Sequence, residues 1–153
     1  MINLVMNADK TISIANPHGT KIFQHDNLID KLQIVIPKEY HEMSLEDFQV
    51  QLSYTTPGNI HYKDNLTKSE TQDKENHTVY EFPIVDSAFT AVAGEIKDIA
   101  LLLTKTVIRE DAQKPLLYKL HTATTKLTIY PSTDYDSYIT QGELSDEYEV
   151  VEF

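Results

Sequence analysis

Strict alternation of apolar and polar side chains is the feature that most constrains this chain. In Phe48-Gln49-Val50-Gln51-Leu52-Ser53-Tyr54 every second residue is apolar, and an extended strand is the conformation that sends alternate side chains to one face. The run predicts a half-buried strand. Behind it, Thr56-Pro57-Gly58-Asn59 predicts a reversal, because proline presets φ at the first central position and glycine accepts the positive φ of a type II turn at the second. Leu32, Ile34 and Ile36 alternate with Lys31 and Gln33, and Pro37 ends that strand by removing a ladder donor. Tyr80, Phe82 and Ile84 alternate with Glu81 and Pro83, and a proline on the outward parity marks an edge strand.

Turn chemistry organises the rest. Asn16-Pro17-His18-Gly19 has the residue order of a type I turn between residues 11–15 and 20–24, which predicts an N-terminal hairpin. Residues 91–105 admit two readings. Val92, Ile96, Ile99 and Leu103 have helical spacing, whereas Leu101 and Leu103, with Ile96 on the other parity, describe a strand bulged near Asp98. Gly94 favours the strand. Residues 116–130, rich in Thr, Tyr and β-branched side chains, read as one long strand or as two with a parity slip near Thr124 and Thr125, closed by Pro131. Residues 62–78 are polar apart from Leu66 and predict a long exposed loop. Ser44-Leu45-Glu46-Asp47 caps at most one short helical turn.

About seven short strands with turn signals between them predict an all-β fold, an antiparallel β-sandwich of the immunoglobulin-like or jelly-roll-like kind, with a small barrel as the alternative. A chain of 153 residues is of single-domain size and buries about 70% of its unfolded surface. The expected division is a sandwich over residues 1–133 and an acidic, Tyr-rich C-terminal extension over 134–153.

The charge narrows function. The net charge is −11, and residues 134–153 contribute Asp134, Asp136, Glu143, Asp146, Glu147, Glu149 and Glu152 with no Lys or Arg. Phosphate affinity comes from basic residues displacing counterions, so nucleic acid is not an expected partner. The chain has no Cys, which excludes disulfides, thiolate catalysis and Cys-ligated zinc together. The first residues lack the basic and long apolar regions of a signal peptide, and no apolar run approaches the about 20 residues of a membrane span, so no membrane is expected either.

Chemistry-bearing patterns are sparse. The six histidines, His18, His25, His41, His61, His77 and His121, form no His-x-His or His-x-x-x-His pair. His41-Glu42-Met43-Ser44-Leu45 begins like a zinc-protease signature, but Leu45 stands where the second ligand belongs. Asp134-Tyr135-Asp136 lacks the further oxygen ligands, glycine and distal Glu of a calcium loop. Four glycines build no phosphate-cradling loop. No enzyme, cofactor or metal is expected. Paired carboxylates for hydrolysis remain the weakest alternative, because in an acidic chain their availability is not evidence.

Tyr135, Tyr138, Ile139, Tyr148, Val150, Val151 and Phe153 interleave with the C-terminal acids. Aromatic residues favour interface cores and rim acids select a basic partner surface, so these seven are the candidate partner interface. The competing reading is a final strand packed on the chain's own sheet or a frayed end. A strand donated to a neighbouring subunit's edge reconciles the two.

Several segments carry a resemblance to a known family. Ile22-Phe23-Gln24 with Asn27-Leu28-Ile29-Asp30, then Leu32-Gln33-Ile34-Val35-Ile36-Pro37 with Tyr40, resemble recurring features of small virion structural proteins from tailed phages of Gram-positive bacteria. So do Val50-Gln51-Leu52-Ser53-Tyr54, Tyr80-Glu81-Phe82-Pro83-Ile84, Ala93-Gly94-Glu95-Ile96 and Leu127-Thr128-Ile129-Tyr130-Pro131-Ser132. The likeness spans about residues 1–140 and is similar in outline to the N-terminal modules of baseplate upper proteins and head-fibre proteins. It implies a module that docks onto tail, baseplate or capsid subunits, located in the virion and in host cytoplasm during assembly, with other virion proteins and copies of itself as partners. The chain stops soon after the expected sandwich, where longer members continue into a fibre, which points toward an adaptor or decoration role. A carbohydrate- or receptor-binding β module of the virion is the second reading, weakened by the absence of Trp.

Overall fold

The computed structural model describes residues 1–70, 75–111 and 113–133. Among these residues thirteen strands make two packed sheets and a small hairpin, and the chain is a β-sandwich. The first sheet has the order β2 (Ile12–Ala15), β1 (Ile2–Met6), β4 (Lys31–Pro37), β10 (His77–Pro83), β9 (Thr67–Lys68). The second runs β3 (Ile22–Phe23), β13 (Thr125–Tyr130), β11 (Gly94–Val107), β7 (Gln49–Thr55), β8 (His61–Asn65), and β12 (Leu116–His121) also lies against β11. Among the described residues β5 (Glu39–Tyr40) and β6 (Met43–Ser44) pair only with each other. Most pairings are antiparallel, but β1 with β4 and β3 with β13 are parallel.

The alternation places the core. Leu32, Ile34 and Ile36 of β4 and Val50, Leu52 and Tyr54 of β7 are all buried, facing each other across the sandwich with Leu4, Met6, Tyr80, Phe82, Leu101 and Leu103. Phe89, from the segment between β10 and β11, is fully enclosed. Its ring meets Tyr54 at 5.2 Å and Phe82 at 5.7 Å, both edge-on, a geometry that adds about 0.5–1.5 kcal/mol per pair to the area each ring buries.

β11 settles the ambiguity over residues 91–105 in favour of the strand. Its register shifts between Ile96 and Ile99, and Asp98 sits at φ 56°, a left-handed conformation that Asp tolerates better than most residues. The extra residue lets both Ile96 and Ile99 point inward although their spacing is odd. At Gly94 φ is +131°, and a Cβ there would stand 3.1 Å from the Pro57 ring, so that position requires glycine. Residues 116–130 form two strands, and the break is pinned where Thr122 donates its amide to the Leu101 carbonyl and accepts the Leu101 amide on Oγ1.

Elsewhere the structure corrects the sequence reading. The 16–19 turn is present, with the Gly19 amide on the Asn16 carbonyl, but it joins β2 to β3, which lie in different sheets, so residues 11–15 and 20–24 do not pair and the N-terminal hairpin is instead β1 with β2. The Asn16 side chain bonds both the amide and the carbonyl of Thr20 and widens the turn into a crossing between sheets. The 56–59 reversal also exists, yet the positive φ falls on Asn59 and not Gly58. With the Asn59 amide on Thr56 O and the Thr56 amide on Ile60 O, it is a tight turn followed by a left-handed bulge residue, which fits a three-residue hairpin loop.

β10 is not an edge strand, because β9 pairs beside it. β9 reaches only Tyr80 and Glu81, so Pro83 has no strand partner on that side and its missing N–H costs no ladder bond. Within the expected 62–78 loop, β8 and β9 are strands. Ser44 ends β6, and residues 45–48 form a turn and no helix, with the Phe48 amide on the Leu45 carbonyl.

Replacing Phe89 by Ala should lower unfolding free energy by about 3–5 kcal/mol, read from the urea midpoint at unchanged slope. Burial chiefly, with the Asp64 carboxylate and Tyr62 behind it, pushes the Tyr54 phenol above its ordinary value. The folded state therefore favours the protonated phenol. That contribution is complete below about pH 10, where unfolded tyrosine begins to titrate, and is lost as pH rises further. Tyr54→Phe should flatten the alkaline fall in stability, measured by denaturation at stepped pH.

Candidate protein-docking surface

The seven candidate interface residues, Tyr135, Tyr138, Ile139, Tyr148, Val150, Val151 and Phe153, lie outside the described residues, as do Asp134 and Asp136. Among the described residues the surface offers three features that the sequence did not single out.

The first is a projecting arm. β7 last pairs with β11 at Gln49 opposite Thr104, while β11 continues to Val107 with β12 as its remaining strand partner. Residues 105–107 and 116–118 therefore form a two-stranded ribbon beyond the body of the sheet. Leu103 and Leu120 face each other and are buried, so side chains two steps further out, Lys105 opposite Tyr118 and Val107 opposite Leu116, continue the core face into solvent. Leu117 occupies the other face. Ile108 at the tip is 85% exposed and Leu117 55%, and Leu116 and Tyr118 are exposed too. Near the root, Lys105 Nζ lies 6.0 Å from the Phe48 ring centre and 3.8 Å from the Asp47 carboxylate.

The second feature is at the opposite end. Leu28 and Ile29 precede β4 and are 65% and 85% exposed. They are held out by backbone bonds on either side: the Leu28 amide donates to the Ile84 carbonyl at 2.8 Å and the Ile84 amide to the Asp30 carbonyl at 3.1 Å. Leu28 has φ 60°, a left-handed conformation that costs an L-residue about 1–2 kcal/mol. With Met1, Asp30, Lys31 and Pro83 they line a shallow hollow of about 390 Å³. Lys31 Nζ bonds Glu81 Oε1 at 3.0 Å, which holds the Glu81 carboxyl below its usual range.

The third is a hollow of about 330 Å³ at the arm end of the first sheet, where Tyr40, His41 and His77 converge with Met6, Pro37 and Glu39. His41 meets the Tyr40 ring edge-on at 4.2 Å and Lys10 Nζ stands 5.7 Å over it. His41 and His77 are far apart in sequence, and spacing gave no sign of their meeting. Among the described residues, no three His, Asp or Glu side chains gather as a metal-binding group.

No family model matches this sequence, and no curated protein shows significant similarity to it. A solved structure, the N-terminal domain of phage TP901-1 ORF48, aligns over 84% of this chain and 95% of that one, with a TM-score of 0.46 and 11% identity. At that score the alignment carries no argument, and the architecture rests on the sheets themselves.

Substituting exposed Leu28 by Gly should raise stability by about 1 kcal/mol, since it removes left-handed strain and little burial. The check is an increase in the urea midpoint, the reverse of what leucine-to-glycine does at a buried site.

Proposed function

We propose that this chain is a virion structural protein of a tailed phage, a β-sandwich module that attaches to tail, baseplate or capsid subunits. The observation that carries this reading is the arm. A ribbon of two strands is marginally stable in water, and this one, which pairs with no third strand among the described residues, holds Ile108, Leu116, Leu117 and Tyr118 out to solvent, the arrangement of a surface that is completed by another protein. The sequence segments that resemble phage modules supply the class of partner. They fall on the sandwich itself, in β3, β4, β7, β10, β11 and β13, so the resemblance concerns the scaffold and the arm supplies the contact. The C-terminal residues Tyr135, Tyr138, Ile139, Tyr148, Val150, Val151 and Phe153 belong to the same proposal as a second contact.

The test uses purified particles of the phage that encodes the chain. The chain should be found in them at a fixed ratio to the other structural proteins by quantitative mass spectrometry. Leu117→Glu, at an exposed position, should keep the circular dichroism of the folded chain and reduce its incorporation by at least about tenfold, the factor that about 1.4 kcal/mol of lost contact gives. Particles that lack the chain, or that accept the variant as readily as the parent, overturn the reading.

A further inference from the structure

The four most exposed large apolar side chains among the described residues stand at opposite ends of the sandwich. Ile108 and Leu117 are on the arm, and Leu28 and Ile29 are at the hollow before β4. Phe82 packs edge-on against Tyr54 with ring centres 5.8 Å apart, and Pro83 beside it lines the hollow, so the hollow lies at the Thr55 end of β7. Along β11, Thr106 opposite Leu117 is nine steps from Lys97 opposite Thr55, roughly 30 Å at strand rise. An arm therefore cannot enter the hollow of its own copy.

The two ends also differ in charge. Residues 105–121 carry Lys105, Arg109, Lys114 and Lys119 against Glu110 and Asp111, a net of +2 inside a chain of −11. By strand parity the face that presents Leu117 also presents Lys119, with Thr104 and Thr106 across from them on β11. Ile108, one step past the end of β11, continues that parity. Among the described residues neither Lys114 nor Lys119 enters an ion pair. At the hollow the one nearby cation, Lys31, is held by Glu81 at 3.0 Å. Asp30, which lines the hollow, and Asp86, whose amide bonds the Asn27 side chain at 3.0 Å, have no basic partner among the described residues.

We propose that the arm of one copy seats in the hollow of a second copy, head to tail, with Leu117 and Ile108 against Leu28 and Ile29, and Lys114 and Lys119 facing Asp30 and Asp86. Charge selects this pairing over the symmetric ones. Arm against arm sets Lys114 and Lys119 near their own counterparts, and hollow against hollow does the same with Asp30 and Asp86, whereas arm against hollow joins unlike charges. The receiving side is already shaped. Leu28 keeps its left-handed conformation through the bonds that it and Asp30 make with Ile84. Strain at an exposed apolar residue gains the fold no burial, but it presents a fixed surface that loses little freedom on binding. The inference rests on the arm being an interface, as the docking reading holds, and names a second copy as its partner. A contact of a few side chains falls well below the about 20–30 residues a side of a standard interface, so it is weak between free copies.

Sedimentation equilibrium on the full chain, loaded to about 1 mM to reach weak contacts, should show self-association that added salt weakens. Lys114→Glu with Lys119→Glu on the arm, and Asp30→Lys with Asp86→Lys at the hollow, should each weaken it by at least about tenfold with unchanged circular dichroism. Mixed one to one, the two double variants should associate again, because every arm then meets a hollow of opposite charge. Amine-to-carboxyl cross-linking of mixed light and heavy isotope-labelled parent copies should join Lys114 or Lys119 of one copy to Asp30 or Asp86 of another. A parent that stays monomeric, or a mixture that gains nothing, overturns the proposal. So does a hollow variant that associates as the parent does, the result that an arm-to-arm contact gives, and so do cross-links that run from the arm to the C-terminal residues of the same copy instead. None of these outcomes bears on whether the chain is present in particles, so the two readings fail separately.

Discussion

The structure depends on β11. Fourteen residues long, it is the only strand that serves three others, with β7 along one side and β13 and then β12 along the other among the described residues. A strand that long must change course to keep its apolar side chains on one face of a twisted sheet, and the bulge at Asp98 does this by inserting one residue into the ladder. Before the bulge Ile96 faces the core; after it Ile99, Leu101 and Leu103 do. Thr122 fixes the matching break on the opposite strands by bonding Leu101 in both directions.

The same length that organises the core also creates the exposed surface. Because β7 stops opposite Thr104 and β11 does not, the inward face of the sheet runs on past the sandwich and becomes the arm. Three other sheet edges are managed differently, since β3 and β9 are two residues long and β8 is largely charged and polar, devices that discourage pairing with another chain, whereas the edge strand β2, Ile12–Ala15, is short but uncharged. β12 has neither protection. Surface ion pairs such as Lys126 with Glu95 contribute little to stability at their exposure, so the fold is held by the dry interface between the sheets and by the Tyr54, Phe82 and Phe89 rings at its centre.

Much of this was legible in the residues. Val50, Leu52 and Tyr54, and Leu32, Ile34 and Ile36, announce their strands by parity alone, and the parity change between Ile96 and Leu101 marks the bulge. Pairing was less legible. The Asn16 to Gly19 turn reads as a hairpin because turn residues report only that the chain reverses, and whether the strands on either side join one sheet or two depends on partners distant in sequence. β1 is parallel to β4, and β3 to β13; such contacts leave no local signal. Pro83 reads as the mark of an edge because the short cover supplied by β9 leaves no signal in residues 67 and 68 themselves.

The candidate surface divides in the same way. The amino-acid sequence by itself determined the β class, the inward parity of each strand, the position of the bulge and the separation of a basic segment from an acidic one, because these follow from side-chain identity and spacing along one strand. Only the tertiary structure decided that Leu116, Leu117 and Tyr118 stand in solvent, that Leu28 and Ile29 are held outward by Ile84, and that Tyr40, His41 and His77 share a hollow. Exposure is a property of what fails to cover a residue, and here it was set by where β7 ends relative to β11, a difference in length between two strands more than forty residues apart.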